Sequence, residues 1–184
     1  MPAANLLKTR RAAPLAAIAA IAALALAGCG GGGSKSSAST TAKRAPAVAA
    51  SVADLKNVQS SLGHPIYWVG SKSSFTYELT KTNDGNVYVR YLPSGVKVGD
   101  SRPEFLTVGT YPQTNAFQNI QTAAKRKGAH ETKLSGGGLA VENSARPTSV
   151  YVAYPNSSVL IEVFDPSAKV ARSIVRAGQV RPLG

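Results

Sequence analysis

Two stretches decide the fold of this chain: Phe75-Thr76-Tyr77-Glu78-Leu79-Thr80-Lys81-Thr82 and Val87-Tyr88-Val89-Arg90-Tyr91-Leu92. In both stretches apolar and polar residues tend to alternate, and β-branched and aromatic residues are frequent. This pattern is typical of strands in a half-buried sheet. They are joined by Asn83-Asp84-Gly85-Asn86, in which Asp-Gly supplies the positive φ that a tight turn needs. The pattern predicts an antiparallel hairpin.

The segments on either side of this hairpin predict further strands and three helices. One helix begins at a Ser51 cap and ends at Gly63, and a second spans Asn115–Lys127. A third is opened by Asp165-Pro166 and closed by Gly178. Strand-like runs are Pro65–Gly70, Glu104–Tyr111, Thr132–Leu134, Leu139–Glu142, Ser149–Tyr154 and Val159–Phe164. This order predicts an α+β fold, with an antiparallel sheet and the helices packed on one face.

The two halves of the domain resemble each other. Val87–Tyr91 lines up with Val150–Tyr154, and each block is followed by a β segment, a proline, a helix and a closing glycine, Gly128 or Gly178. This order indicates an internal duplication of strands followed by a helix. The spacing between the copies is not constant, so convergent β patterning stays open as the alternative.

The first 28 residues have the three parts of an export signal. Lys8, Arg10 and Arg11 form a basic start, and the apolar run Ala12–Leu26 follows. This run is shorter than the ~20 apolar residues that a membrane-spanning helix needs. It is followed by Leu26-Ala27-Gly28-Cys29, which resembles the lipobox of bacterial lipoproteins at every position.

The resemblance to lipoproteins implies a chemical role for Cys29. A peptidase that recognises Leu26, Ala27 and Gly28 would cut before Cys29, whose thiol receives a diacylglycerol. Acyl chains such as palmitate would then anchor the chain to membrane lipid on the outer face of the cytoplasmic membrane. The glycine- and serine-rich residues 29–50 are expected to form the lipidated, disordered tether of a globular domain at 51–184.

The charge balance favours an anionic partner. The chain has 21 Lys+Arg against 9 Asp+Glu, and only three of the bases leave with the leader. This excess favours contact with anionic lipid or an anionic cell-wall polymer. Nucleic acid is disfavoured as a partner, because the leader sends the chain out of the cytoplasm. Two basic groups, Lys125-Arg126-Lys127 and Lys169/Arg172/Arg176, are expected in the last turn of the second helix and on the solvated face of the third.

The sequence contains few residue patterns that are typical of catalytic or metal-binding sites. The single cysteine excludes an intrachain disulfide framework and a cysteine-rich zinc site. The chain lacks Gly-x-Ser-x-Gly and His-Glu-x-x-His motifs, and a glycine turn at Ser135–Gly138 precedes a strand instead of a helix. We expect no catalytic residue, metal or cofactor, and therefore no enzyme. The alternative is an exported hydrolase or metal-dependent enzyme that uses His64 or His130, the latter next to Glu131.

Aromatic residues offer a candidate ligand surface. In the second strand of the hairpin, Tyr88 and Arg90 share the face opposite to the β-branched one, which is favoured as the buried face. Tyr151 repeats the position of Tyr88, and Trp68 is a further candidate member of an exposed aromatic and basic surface. The alternative is that these aromatics pack under the helices.

Three blocks of the globular part, Gly63–Gly70, Val87–Pro93 and Val108–Pro112, are similar to uncharacterised domains of actinobacterial exported and membrane proteins. This similarity implies a high-GC Gram-positive source and brings no assigned activity. The sequence therefore predicts a membrane-anchored extracytoplasmic lipoprotein with a non-enzymatic binding or envelope-associated domain.

Overall fold

The computed structural model describes residues 44–184, so the predicted leader and the Cys29 motif lie outside the described residues. In this range the chain forms ten strands and three α-helices. The strands are β1 (Val48–Ala50), β2 (Tyr67–Trp68), β3 (Phe75–Lys81), β4 (Val87–Pro93), β5 (Thr107–Pro112), β6 (Ala129–Lys133), β7 (Leu139–Asn143), β8 (Arg146–Ala153), β9 (Val159–Phe164) and β10 (Arg181–Pro182). The helices are α1 (Val52–Ser60), α2 (Ala116–Ala124) and α3 (Ala168–Arg176).

Eight strands form one antiparallel sheet in the order β1-β3-β4-β5-β9-β8-β7-β6. The other two, β2 and β10, form a small antiparallel ribbon. Most neighbours in the large sheet are consecutive in the chain, as short hairpin connections require. The predicted α+β class with an antiparallel sheet is confirmed.

The predicted antiparallel hairpin is formed by β3 and β4, and its turn is shorter than Asn83–Asn86 because the Thr82 amide donates to the Asn86 carbonyl oxygen. Its pairs run from Phe75↔Pro93 to Lys81↔Val87. Gly85 in the turn has a φ of 80°, a left-handed conformation that glycine adopts without steric cost. On the β-branched side of β4, Val87 and Val89 are fully buried, so the favoured face of this strand does point into the core.

The helices cover both faces of the sheet, and the expectation that they share one face is not confirmed. In β7 and β8, Ala140 and Val152 pack in one core cluster with α1 and α3. Their neighbours Val141 and Ala153 pack in a second cluster with α2. Because successive strand residues point to opposite faces, α2 lies on the face opposite to α1 and α3. We call these the α2 face and the α3 face. The periodicity of a helix shows that it buries a stripe, but not which face of the sheet that stripe covers.

The repeat seen in the sequence has a counterpart in the strands. The meanders β3-β4-β5 and β7-β8-β9 meet where β5 pairs with β9. Tyr88 pairs with Gly109, Tyr151 pairs with Glu162, and Gly109 pairs with Glu162. An approximate two-fold axis perpendicular to the sheet therefore passes between Gly109 and Glu162. Such an axis would place α2 and α3 on the same face, so the helices do not follow the repeat of the strands.

Ordered structure begins earlier than the expected domain start at residue 51. Arg44, which forms a bridge with Thr82, and β1, which pairs with β3, both lie in the segment 29–50 that is expected to form the tether. β1 adds to the free edge of β3 through backbone hydrogen bonds, which require little apolar side-chain surface. A composition rule for disorder does not detect an added edge strand of this kind.

The helix boundaries differ from the sequence-based expectation, and α1 ends at Ser60 instead of Gly63. α2 ends at Ala124 with Lys125 as its C-cap, so the segment 125–127 follows the helix instead of filling its last turn. α3 is capped by Ser167, whose hydroxyl accepts a hydrogen bond from the Val170 amide at 3.4 Å. Asp165 accepts instead from the Ser167 amide at 2.8 Å and forms the turn before the helix. Among the described residues, no helix is both long and apolar enough to cross a membrane.

Candidate functional site

A buried carboxylate lies at the centre of the α2 face. Glu162 of β9 is only 7% exposed. It accepts hydrogen bonds from the hydroxyls of Tyr111 at 2.6 Å, Ser149 at 2.8 Å and Tyr151 at 3.0 Å. We call these four residues, together with Tyr88, the central cluster. The cluster links β4, β5, β8 and β9 at the junction of the two meanders.

The absence of a side chain at Gly109 makes this arrangement possible. Gly109 lies directly across from Glu162 in the β5–β9 pair. A Cβ atom at Gly109 would lie 2.6 Å from the Tyr111 hydroxyl oxygen and 2.8 Å from its ring. The Tyr111 ring therefore folds over the bare backbone of Gly109 to reach Glu162, and any larger residue at Gly109 would displace it.

Hydroxyl donors, rather than a cation, satisfy the Glu162 carboxylate. Within residues 44–184, Glu162 takes part in no ion pair. Burial, followed by the negative charge of Glu162, raises the pKa of Tyr111 and of Tyr151 well above the usual value for tyrosine. Both phenols therefore stay protonated and donate to the carboxylate, as a buried acceptor requires.

Tyr88 packs beside this hydrogen-bonded core. Its ring meets the Tyr111 ring edge-on, with 5.7 Å between ring centroids. The Arg44 guanidinium lies over the Tyr88 ring, 5.1 Å from its centroid. Burial is the main cause that raises the pKa of Tyr88. Tyr88 is thus half-buried between protein groups.

Arg90 is hydrogen-bonded to the loop between β4 and β5. Its guanidinium pairs with the buried carboxylate of Glu78 and donates to the carbonyl oxygens of Asp100 at 3.0 Å and Arg102 at 2.9 Å. It also lies over the Phe105 ring, 5.2 Å from the centroid. Within the same loop, the Arg102 guanidinium donates hydrogen bonds to the Asp100 carboxylate. These bonds lower the pKa of Asp100 to about 2. Arg90 therefore holds a loop against the sheet.

The structure brings together only part of the predicted aromatic surface. Tyr88, Arg90 and Tyr151 share the α2 face, where Tyr88 and Tyr151 are linked through Tyr111 and Glu162. Trp68 is buried in the core cluster of the α3 face, where its ring meets the Tyr77 ring edge-on. Trp68 is therefore not part of the same surface.

A groove of about 490 Å³ lies between α2 and the outer strands β6 and β7. Apolar, charged and glycine residues line it: Phe117, Gln121, Ala124, Lys125, Glu131, Lys133, Leu134, Gly137, Gly138 and Leu139. The size falls within the ~300–1,000 Å³ typical of ligand sites. Of this lining, the sequence drew attention to the glycine turn, to Lys125 of a basic run and to Glu131 beside His130, but it did not predict a groove.

The two histidines occupy separate positions. The His64 ring nitrogens lie 3.0 Å from the Pro65 carbonyl oxygen and 3.1 Å from the Gly85 carbonyl oxygen, so this ring ties the β3–β4 turn to the segment after α1. His130, on the edge strand β6, lies 2.9 Å from the Ser144 hydroxyl. In the described part of the chain, no three His, Cys, Asp or Glu side chains are grouped so that they could hold a metal ion.

The residues that organise the central cluster were missed in the sequence. The available signal was Glu162 itself, a lone carboxylate inside the apolar run Val159–Phe164. A charge in such a run requires partners if the strand is central. Its partner Tyr111 lies 51 residues away in the chain, so no local pattern could identify it.

No protein-family model, no curated protein and no solved structure matches this chain.

Replacing Tyr111 by phenylalanine tests the central cluster. The substitution removes a short hydrogen bond to a buried carboxylate and keeps the ring, so we expect the free energy of unfolding to fall by about 1.5–3 kcal/mol. Urea titration followed by the fluorescence of Trp68, the single tryptophan, measures this change. The matched control is Tyr154→Phe, because within the described residues the Tyr154 hydroxyl has no side-chain or backbone partner. Equal stability of the two variants would contradict the assigned role.

Alkaline pH should destabilise the fold through the buried phenols. Tyr111 and Tyr151 have folded-state pKa values above the unfolded value of 10. Their contribution is therefore fully present below pH 10 and is lost as the pH rises above it, by about 1.4 kcal/mol per pH unit for each phenol. Phenolate absorbance, recorded together with circular dichroism, should show these tyrosines ionising only as the protein unfolds. Ionisation of all seven tyrosines at pH 10 in the folded state would contradict this prediction.

Proposed function

We propose that this chain is an extracytoplasmic lipoprotein, attached through acylated Cys29 to the outer face of the cytoplasmic membrane. Its globular domain would act as a non-enzymatic binding or envelope-associated module. The observation that carries the proposal is the sequence Leu26-Ala27-Gly28-Cys29 at the end of an apolar run of signal-peptide length. Two or more acyl chains at this cysteine would make anchoring stable, whereas one chain alone gives marginal binding.

The distribution of charge in the domain supports an anionic partner. The carboxylates of Glu78 and Glu162 are buried, and those of Asp100 and Glu142 are paired with arginines. In contrast, no lysine of residues 44–184 lies within 4.0 Å of a carboxylate oxygen. The lysines of the described domain are therefore available to an anionic partner. A basic surface held near a membrane attracts anionic headgroups, at about 1 kcal/mol for each lysine or arginine close to them.

The hydrogen bonds already made by Glu162 and by Arg90 support a structural rather than a catalytic role for these two side chains. Glu162 is occupied by three hydroxyl donors, and Arg90 is occupied by Glu78 and two carbonyl oxygens. A substrate at these groups would have to displace hydrogen bonds that keep a buried carboxylate satisfied. This engagement favours a domain whose partner binds at exposed basic groups. Candidates for the partner are anionic membrane lipid and an anionic wall polymer.

Replacing Cys29 by serine tests the attachment. Serine cannot form the thioether, so we expect the protein to move from the membrane fraction to the soluble extracytoplasmic fraction. Fractionation followed by immunoblotting measures the distribution, and mass spectrometry of the wild-type chain should find acyl groups on residue 29. Membrane retention of the Cys29→Ser form would instead indicate that the uncut apolar run is the anchor.

Salt dependence tests the partner. The mature chain carrying Cys29→Ser should sediment with phosphatidylglycerol vesicles at low ionic strength and be released as salt shortens the Debye length from about 30 Å at 0.01 M to about 8 Å at 0.15 M. Phosphatidylcholine vesicles are the control, because they carry no net charge. Purified cell wall provides a parallel arm. No retention on either anionic material at low salt would count against an electrostatic partner.

A further inference from the structure

We propose that the groove between α2 and the β6–β7 edge binds a single anionic phospholipid, with an acyl chain on its apolar floor and the headgroup phosphate at its lysines. This inference rests on the proposed function, because it names the partner and the site of the same membrane-associated domain. It commits to a phospholipid of the membrane rather than to a free fatty acid or a wall polymer.

The floor of the groove suits an acyl chain. Phe117 and Ala124 of α2 are seven positions apart and therefore lie on the same side of the helix. Leu139 of β7 and Leu134, which follows β6, complete the floor. Phe117, Ala124 and Leu134 are only half-buried, so this apolar surface remains open in the described domain. Covering it with hydrocarbon removes apolar area from water.

Two lysines in the polar part of the lining carry the positive charge that a lipid phosphate requires. Lys125 is the C-cap of α2, and Lys133 is the last residue of β6. Both side chains are exposed, and within residues 44–184 neither is paired with a carboxylate. A lysine can lay its methylene stem on an apolar surface and keep its ammonium group in water, which is the position of a lipid phosphate. Glu131 is the one carboxylate of the lining, and it should weaken the binding of any anion.

An amphiphile fits this lining better than a purely polar or a peptide ligand. A wall polymer would engage the lysines but would leave the open floor uncovered. A peptide that extended the sheet would bind the backbone edge of β6, whereas the groove lies on the α2 face of that strand, beside Glu131 and Lys133, whose partners are Val141 and Leu139. One molecule that carries both hydrocarbon and a negative phosphate uses both parts.

Titration with a soluble short-chain lipid tests the site. The mature chain carrying Cys29→Ser is titrated with monomeric dihexanoyl phosphatidylglycerol, and binding is followed by amide chemical shifts. We expect the shifts to concentrate at Phe117, Leu134 and Leu139. Dihexanoyl phosphatidylcholine, inorganic phosphate and hexanoate are the comparison ligands, and each should bind more weakly because it lacks net charge, hydrocarbon or phosphate, respectively.

Charge variants supply a test with opposite signs. Lys125→Gln combined with Lys133→Gln should weaken binding of the phosphatidylglycerol by about 30-fold, since each lysine contributes about a factor of five. Glu131→Gln should strengthen it. The matched control is Lys169→Gln combined with Arg176→Gln on α3, which removes the same charge from exposed positions outside the groove and should leave the affinity close to that of the wild type. All the replaced side chains are exposed, so the variants should fold, and circular dichroism checks this.

Three results would overturn the inference: unchanged affinity of the Lys125/Lys133 variant, an equal loss in the Lys169/Arg176 control, or tighter binding of hexanoate than of the phospholipid. If binding to anionic vesicles persists in any of these cases, the groove is excluded as a phospholipid site while the proposed function stands. If Cys29→Ser leaves the protein in the membrane and no anionic vesicle binds, the proposed function itself fails.

Discussion

The burial of one carboxylate at the junction of two meanders is the constraint on which the rest of this sheet depends. Glu162 belongs to β9, and its three hydroxyl partners come from β5 and β8, so a single side chain connects three adjacent strands. An ionised carboxylate without partners in such a position would cost several kcal/mol. The donors must therefore be in place whenever β5 and β9 are paired, and this couples the two halves of the domain to each other.

This constraint explains why the two halves of the strand repeat carry different residues, Gly109 and Glu162, next to the approximate two-fold axis. Gly109 and Glu162 occupy equivalent positions and face each other. Two glutamates there would place like charges side by side in a buried position, which is unfavourable. With glycine on one side, the ring of Tyr111 takes the space and delivers its hydroxyl to the carboxylate. Tyr88 and Tyr151 remain equivalent in position but differ in role, since only Tyr151 donates to Glu162.

The features predicted from the sequence were those encoded over short distances. The hairpin of β3 and β4 depends on strand alternation and an Asp-Gly turn within about twenty residues, and it forms as predicted. The side of the sheet covered by α2 depends instead on long-range packing. Likewise, β1 depends on a free edge of β3 and Tyr111 on a partner 51 residues away. The aromatic surface was predicted in part because alternation places Tyr88 and Arg90 on one face. Alternation cannot tell whether their polar atoms are already engaged.

The difference between polar groups that already have partners and polar groups that have none in the described domain is the reason for proposing a binding site at the edge of the α2 face. At the centre of the α2 face the charged and hydroxyl groups satisfy one another, so a ligand would gain little by replacing one set of hydrogen bonds with another. At the outer edge of the same face, Lys125 and Lys133 have no carboxylate partner among residues 44–184, and the apolar floor beside them is open. Binding free energy is available where groups are desolvated or paired only in the complex. The edge groove meets this condition, whereas the central cluster connects strands in the middle of the sheet through hydrogen bonds that are already made.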